Sequence, residues 1–464
     1  MLEIPTEAYQ MKSFSDGFQY REYRDLVYVE YPVSPIQKLN LFIPQAYYEG
    51  KSLNGYTDAT APVLIPNTVG GYLPGPADFP GNQTQPTRST TIEQALRHGY
   101  VVASPGLRGR TQKDPNGINI GKAPAFIVDL KAAIRYLRHN AHQLPGDYEY
   151  IITNGTSVGG ATSALAGASG DHPFFESYLK QLGAADESDA IYAASCYCPI
   201  HNLEHADMAY EWQFNGINDF QIEHYDFSVN SPRVDSIEGS LTPQQVDLSQ
   251  DLKQAFPDYV NQLQLRDQQG QSLTLTADGQ GSFLNAIQTA IMRSAQQALN
   301  DGQKIPDEAG MTIIYDQVTA MDWNQYLYFI GRKKAVPAFD DLDLASPEND
   351  LFGTRKIDYQ HFTEFGQAHS ANSGTLADSK IVAGVNPISY LTNPQCHQAT
   401  YWRIRHGASD RDTAFAIPMI LAKSLQNQGK KVDFAYPWGI GHAGDYDLDE
   451  LFAWIDQICK WKEI

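Results

Sequence analysis

The sequence predicts an α/β protein, a central and mostly parallel sheet flanked by helices, with a large inserted lid. Three observations carry that prediction. Strand-like and helix-like segments alternate up to about residue 200. From about Glu211 to Asn393 the chain turns rich in Gln, Asp and Ser and loses the rhythm of a buried sheet. Regular α/β alternation then resumes at Tyr401 and runs to the end. Residues 1–210 and 394–464 are therefore expected to form one sheet domain, and 211–393 an inserted lid or cap, with no internal repeat.

Taken in order, Leu26-Val-Tyr-Val-Glu-Tyr and Leu39-Asn-Leu-Phe-Ile-Pro read as an early antiparallel pair. Pro62-Val-Leu-Ile-Pro and Gly99-Tyr-Val-Val-Ala-Ser read as buried strands, because short apolar runs bounded by Pro and Gly suit a sheet covered on both faces. Between them a helix from Thr91 is stopped by Gly99. Pro124 to Arg138 has apolar residues at helical spacing, and Tyr148 to Thr153 and Ala190 to Pro199 are further strands. Ser282 to Asn300 is a helix of the insertion, and Ala277-Asp-Gly-Gln-Gly is a turn. The apolar periodicity of the insertion marks it as folded despite its Gln content. After it, Tyr401 to Gly407 is a strand, Asp412 to Gln426 a helix, Val432 to Pro437 a strand and Leu448 to Lys462 a helix.

Composition sets the class. The 464 residues, 42% hydrophobic and 11% aromatic, supply a substantial core. A formal charge of −20, from 34 Lys and Arg against 54 Asp and Glu, repels nucleic acid and anionic membranes and predicts neither as a partner. No stretch has the run of apolar residues that a membrane span needs, and the N-terminal residues lack a basic region followed by an apolar one, so the expected location is cytoplasmic. Cys196, Cys198, Cys396 and Cys459 form no C-x-x-C pair and read as reduced thiols. On a strand, Cys196 and Cys198 would share one face.

Chemistry enters at Asn154-Gly155-Thr156-Ser157-Val158-Gly159-Gly160, a G-x-S-x-G pattern directly after an apolar run. A sharp strand-to-helix turn there strains the serine and leaves no room for neighbouring Cβ atoms, so Ser157 is the candidate nucleophile. A serine nucleophile needs an imidazole base, and the base needs a carboxylate to fix its tautomer. Among the twelve histidines, His442 lies in Pro437-Trp-Gly-Ile-Gly-His-Ala-Gly-Asp, a glycine-flanked loop between the last strand and the last helix. The chain order of such sites is serine, acid, histidine. Arg405-His-Gly-Ala-Ser-Asp410-Arg-Asp412 supplies the acid, and Asp410 is chosen because His-Gly-x-x-Asp recurs at this turn; Asp412 alone reads as a helix N-cap or first-turn acid. The oxyanion of a tetrahedral intermediate needs two backbone N–H donors, expected from Val158 and from Gly71 in the loop Ile65-Pro-Asn-Thr-Val-Gly-Gly-Tyr.

One motif competes. His201-Asn-Leu-Glu204-His205 matches the H-x-x-E-H zinc signature, with two histidines a helical turn apart. No third ligand stands at a suitable spacing, so structural histidines on a connecting helix are the expected reading.

Longer stretches go beyond a generic nucleophile: Pro66–Asp78 (PNTVGGYLPGPAD), Ala123–Asp129 (APAFIVD), Ile151–Gly170 (IITNGTSVGGATSALAGASG), Cys198–Trp212 (CPIHNLEHADMAYEW), Lys334–Asp340 (KAVPAFD), Ser346–Gly353 (SPENDLFG) and Arg403–Gly407 (RIRHG). In these, over nearly its whole length, the chain resembles the bacterial tannases, the tannin acyl hydrolases typified by those of lactic acid bacteria. The resemblance implies an α/β-hydrolase core with a large lid, hydrolysis of galloyl esters, and no cofactor or metal; it absorbs His201 to His205 into a segment without metal. It also implies a galloyl pocket in which Lys334, Glu348 and Asp412 meet the three phenolic hydroxyls while Ile200 and Pro347 flank the ring. Carboxylates accept from acidic phenols and an ammonium donates back, so the residue types suit the ligand. Fungal tannases and feruloyl esterases carry Cys beside the catalytic Ser and His; here those positions are Thr156 and Ala443, which cannot form that disulfide. The expected partners are phenolic ester substrates such as gallate esters and gallotannins. A feruloyl or general phenolic-acid esterase, or a non-catalytic polyphenol binder on the same fold, are the alternatives.

Overall fold

The computed structural model describes residues 3–83, 86–226 and 233–460. Thirteen strands are named in chain order: β1 (Gln10–Ser13), β2 (Gln19–Val27), β3 (Lys38–Pro44), β4 (Pro62–Pro66), β5 (Val101–Pro105), β6 (Asp147–Thr156), β7 (Ala193–Tyr197), β8 (Asp219–Asp226), β9 (Arg233–Ser240), β10 (Met311–Ile314), β11 (Gln317–Met321), β12 (Tyr401–Arg405) and β13 (Lys431–Ala435). Nine of them form one sheet in the order β1-β2-β3-β5-β4-β6-β7-β12-β13. The first four in that order pair antiparallel, and from β5 onward every pairing is parallel. The mixed sheet with flanking helices is the predicted class.

The central strands are buried because their side chains are apolar on both faces: β4 (PVLIP) and β5 (VVASP) are buried at every residue. The helix Ala125–His139 is buried from Ala125 to Leu137 and carries its charges inward in pairs, Asp129 with Arg108 at 2.8 Å and Lys131 with Asp189 at 2.7 Å. The helix Val158–Ala168, made of small residues, packs so closely that a Cβ on Gly167 would lie 2.7 Å from the Trp402 ring.

Three expectations are corrected. The early antiparallel pair is real, but its first strand is β2 (Gln19–Val27), not 26–31; its buried Tyr20 and Tyr23 are masked in sequence by Arg and Glu, and a register shift lies between Tyr23 and Leu26, where Asp25 has φ +57° and its N–H binds Asn40 Oδ1. The helix expected from Asp412 is Ala416–Asn427, because Asp410 Oδ1 captures the Asp412 N–H at 2.8 Å in a turn. Asp412 therefore caps no helix. Cys198 lies beyond the end of β7 with φ +36° and does not share a strand face with Cys196. The last helix is Leu448–Lys460, and the expected residues 461–462 lie outside the described residues.

Between β7 and β12 the chain adds the hairpin pairs β8–β9 and β10–β11 and several helices, none of them joined to the main sheet by strand pairing among the described residues. The helix Pro243–Gln262 starts in a capping box, Thr242 with Gln245, and lays Phe256 on Trp212 of the helix Leu203–Phe214, ring centroids 5.1 Å apart. A fully buried ion pair joins Glu211 of that helix to Arg332, whose Nε donates to Lys334 O at 2.6 Å; Ser249 Oγ donates to the same carboxylate at 2.6 Å. Removing one partner strands the other charge. Arg332→Met is expected to cost about 3–5 kcal/mol in urea unfolding, and Glu211→Gln added to it to restore most of that; equal stability of Arg332→Met and the parent would refute the account.

Candidate active site

Ser157 stands between β6 and the helix Val158–Ala168 with φ +61° and ψ −122°, a conformation that costs a non-glycine residue about 1–3 kcal/mol. Crowding holds it there. A Cβ on Gly155 would lie 2.3 Å from Gly159 O, one on Gly159 2.8 Å from Asn67 Oδ1, and one on Gly160 2.4 Å from Tyr197 O. The Ser157 N–H donates to Tyr197 O at 2.9 Å, and the Ser157 carbonyl accepts from Ile200 and Ala161. Asn67, after β4, reaches across the turn: its Nδ2 donates to Asn154 O and Gly159 O, each at 3.0 Å, and to Ser163 Oγ at 3.2 Å. That amide ties the loop holding Gly71 to the serine turn. Gly71 has φ +54°, and its carbonyl accepts from Arg110 Nε at 2.9 Å. Val158 opens the helix, so its N–H has no intrahelical acceptor.

His442 Nδ1 donates to Asp410 Oδ2 at 2.8 Å. Burial penalises the imidazolium, yet the Asp410 carboxylate, with Cys198 and Asp412, outweighs it and raises the proton affinity of His442 well above the ordinary range. Burial would likewise raise Asp410, but His442, His406 and the Asp412 N–H hold it well below the usual carboxylate range. The imidazole loop is fastened at several points. Ser409 N–H donates to Ile440 O at 2.8 Å, and a Cβ on Gly407 would lie 2.2 Å from that oxygen. A Cβ on Gly444 would lie 1.8 Å from Thr156 Oγ1, and Asp445 accepts from Asn154 Nδ2 and Thr91 Oγ1 at 2.9 and 2.8 Å. Among the described residues the Ser157 hydroxyl makes no hydrogen bond; Cys198 Sγ lies 4.0 Å from His442 Nε2.

Beside this pair the insertion brings charged groups to one place. Glu348, on the short helix Pro347–Leu351, is buried, which pushes its carboxyl up, while Lys334 and Arg110 pull it down and Asp412 raises it. Lys334 Nζ lies 3.7 Å above the Phe339 ring. Asp412 is ion-paired with Lys333 Nζ at 2.8 Å and stands 3.8 Å from His442 Nδ1. Tyr72, beside Gly71, donates to Ile200 O at 3.3 Å, and its hydroxyl is raised by burial and then by the charge of Glu348. Lys334, Glu348 and Asp412 thus lie within electrostatic reach of one another, with Ile200 bonded to the serine turn and Pro347 at the first turn of the Glu348 helix, where Ser346 and Asn349 form a capping box.

The BD-FAE family model matches residues 58–210. The esterase LipQ of Mycobacterium tuberculosis is 32% identical over 156 residues, 32% of this chain and 31% of its own length, so the chain spans about a third of that curated relative. The crystal structure of tannase from Lactobacillus plantarum superimposes with a TM-score of 0.97 at 52% identity, over 99% of this chain and 100% of that one. The chain belongs to the tannases. A structure of tannin acyl hydrolase in complex with ethyl gallate is similar at a TM-score of 0.94 and 52% identity, over 99% of each chain. As a tannase the chain is an α/β-hydrolase and a carboxylic ester hydrolase.

The rest of the H-x-x-E-H motif separates in space. His201 precedes the helix Leu203–Phe214 while His205 lies on it, stacked on Tyr259 at 3.7 Å, so the two do not share a helix face. Burial lowers His201 to about 3 and His205 to about 4, which keeps both neutral. Four groups of this tannase escape the sequence reading: Asn67, Arg110, Cys198 and Lys333. Lys333 carries the one available signal, its adjacency to Lys334.

With His442 as the base, only the neutral imidazole would accept a proton, so activity would rise as pH passes its pKa, which the Asp410 carboxylate raises against the effect of burial. Asp410→Asn is therefore expected to move the acid limb of kcat/KM to lower pH while kcat falls by about 10⁴-fold. A pH–rate profile whose acid limb stays in place assigns that limb to another group.

Proposed function

We propose that Ser157, His442 and Asp410 hydrolyse galloyl esters through a galloyl-enzyme. His442 Nε2 takes the Ser157 proton as Oγ attacks the ester carbonyl, and the oxyanion is held by the N–H groups of Val158 and Gly71. Collapse expels the alcohol, which takes the proton from His442, and a water deprotonated by the same nitrogen then releases gallate and restores Ser157. The observation that carries this reading is the 2.8 Å Asp410–His442 hydrogen bond beside a serine in a strained turn. The ethyl gallate complex of the similar tannin acyl hydrolase supports a gallate ester as ligand here.

Lys334, Glu348 and Asp412 receive the three phenolic hydroxyls, and Ile200 and Pro347 flank the ring. Residues 1–210 and 394–464 act as the hydrolase core and 211–393 as the lid, which carries Lys334, Pro347 and Glu348 to the core's serine. Among the described residues no helix is long and apolar enough to cross a membrane. Four free cysteines support a reducing, cytoplasmic setting.

A pocket built to hydrogen-bond hydroxyls leaves buried polar groups unpaired when they are missing, so rejection reaches about 10⁴-fold. Methyl gallate and methyl protocatechuate are expected to be hydrolysed and methyl ferulate and methyl benzoate to lag by up to that factor. Equal rates on methyl gallate and methyl benzoate would instead mark a general phenolic-acid esterase. Stoichiometric labelling of Ser157 by a serine-directed phosphonate is expected and excludes a non-catalytic binder.

In the same panel, Asp410→Asn should lower kcat on every ester, whereas Asp412→Asn should act on galloyl esters and spare non-phenolic ones. Identical losses on a non-phenolic ester would remove the distinction between the two acids.

A further inference from the structure

The ester chemistry makes no use of Cys198, whose thiol faces the Nε2 side of the His442 imidazole. Its Sγ lies 4.0 Å from His442 Nε2 and donates to Ala443 O at 3.4 Å. One ligand atom each from Cys198, Asp410 and His442 falls within 4.8 Å of the others, and among the described residues no other three His, Cys, Asp or Glu side chains converge in this way. Cys198 and Asp410 are buried, while the His442 side chain keeps 22% of its exposure and so leaves a way in.

The spacing suits one cation. A zinc ion holds a thiolate sulfur at about 2.3 Å and an imidazole nitrogen at about 2.0 Å, so the two donors stand about 3.5 Å apart at a tetrahedral angle and about 4.3 Å apart when opposed. The observed 4.0 Å lies within that interval. The tautomer suits it too: Asp410 accepts from Nδ1 and so leaves the lone pair on Nε2, the arrangement in which a carboxylate supports a metal-binding histidine from behind.

We propose that Cys198 Sγ and His442 Nε2 form an inhibitory site for a thiophilic divalent cation of the Zn²⁺ or Cd²⁺ class, backed by Asp410. On binding, the Cys198 thiol gives its proton to solvent, one sulfur–metal and one nitrogen–metal bond form, and the hydrogen bond to Ala443 is lost; nothing is oxidised or reduced. A thiolate selects soft cations over Mg²⁺ and Ca²⁺. The inhibition rests on the reading of His442 as the base, since the cation occupies the lone pair that takes the Ser157 proton.

The experiment titrates the chelator-free protein with Cd²⁺ and follows two signals, the thiolate-to-cadmium charge-transfer absorption and hydrolysis of methyl gallate. One equivalent is expected to raise the absorption and abolish hydrolysis in parallel, with EDTA reversing both and Mg²⁺ producing neither. Cys198→Ser is expected to lose the absorption and to raise the half-inhibiting concentration by about 100-fold or more. Ser157→Ala, without hydrolysis, should keep the absorption, and the double variant Ser157→Ala/Cys198→Ser should lose it, which decides the site even where Cys198→Ser alone is inactive. Absorption that survives in the double variant, or Cys198→Ser inhibited as strongly as the parent, overturns the site. Failure to hydrolyse methyl gallate would count against the esterase reading alone, because the absorption reports the cation by itself.

Discussion

Everything at this site depends on the absence of space around the turn at Ser157. Three glycines there face backbone or amide atoms at distances no Cβ tolerates, so β6, the helix that follows it and the loop after β4 are pressed into contact. Close packing supplies what local propensity opposes: a serine held at positive φ. Asn67 converts the packing into direction, because its amide spans strand end and helix start with hydrogen bonds that fix the two relative to each other.

Charge is the second organising element. Asp410, Asp412 and Glu348 gather several carboxylates in a poorly hydrated region, where a charge left without a partner is costly. Each is met differently: Asp410 by His442 and a backbone N–H, Asp412 by Lys333, and Glu348 by the fields of Lys334 and Arg110. The backbone that presents the two lysines is in turn held by the buried Glu211–Arg332 pair through the Lys334 carbonyl. The segment between β7 and β12 is thus joined electrostatically to the turn after β12, through Lys333 and Asp412.

How legible this was in the sequence varies with the kind of constraint. Turns whose steric demands are written as glycine, at 155, 159 and 160, at 407, and at 444, announce Ser157, Asp410 and His442 by position. Strands buried on both faces announce themselves as apolar runs. The strands β1 and β2 do not, because β1 buries none of its residues and in β2 charged residues stand among the buried tyrosines. The true start of the helix at Ala416 is hidden because the turn that Asp410 makes with the Asp412 N–H leaves no mark in the apolar periodicity. Lys333 and Asn67 are hard to read for a further reason: their partners lie 79 and 87 residues away or more, and apart from the adjacency of Lys333 to Lys334 nothing local distinguishes them from solvated polar residues.

The fastening of the His442 loop bears on how the protein fails when heated. The loop is clamped to Thr156 and Asn154 at the end of β6, to Thr91, and through Ile440 to the turn after β12. It has no freedom to fray as a surface loop does, so the imidazole leaves its place only when the middle of the sheet opens. Thermal inactivation should accordingly share the activation barrier of global unfolding, with the working lifetime of the enzyme governed by its sheet rather than by the segment between β7 and β12.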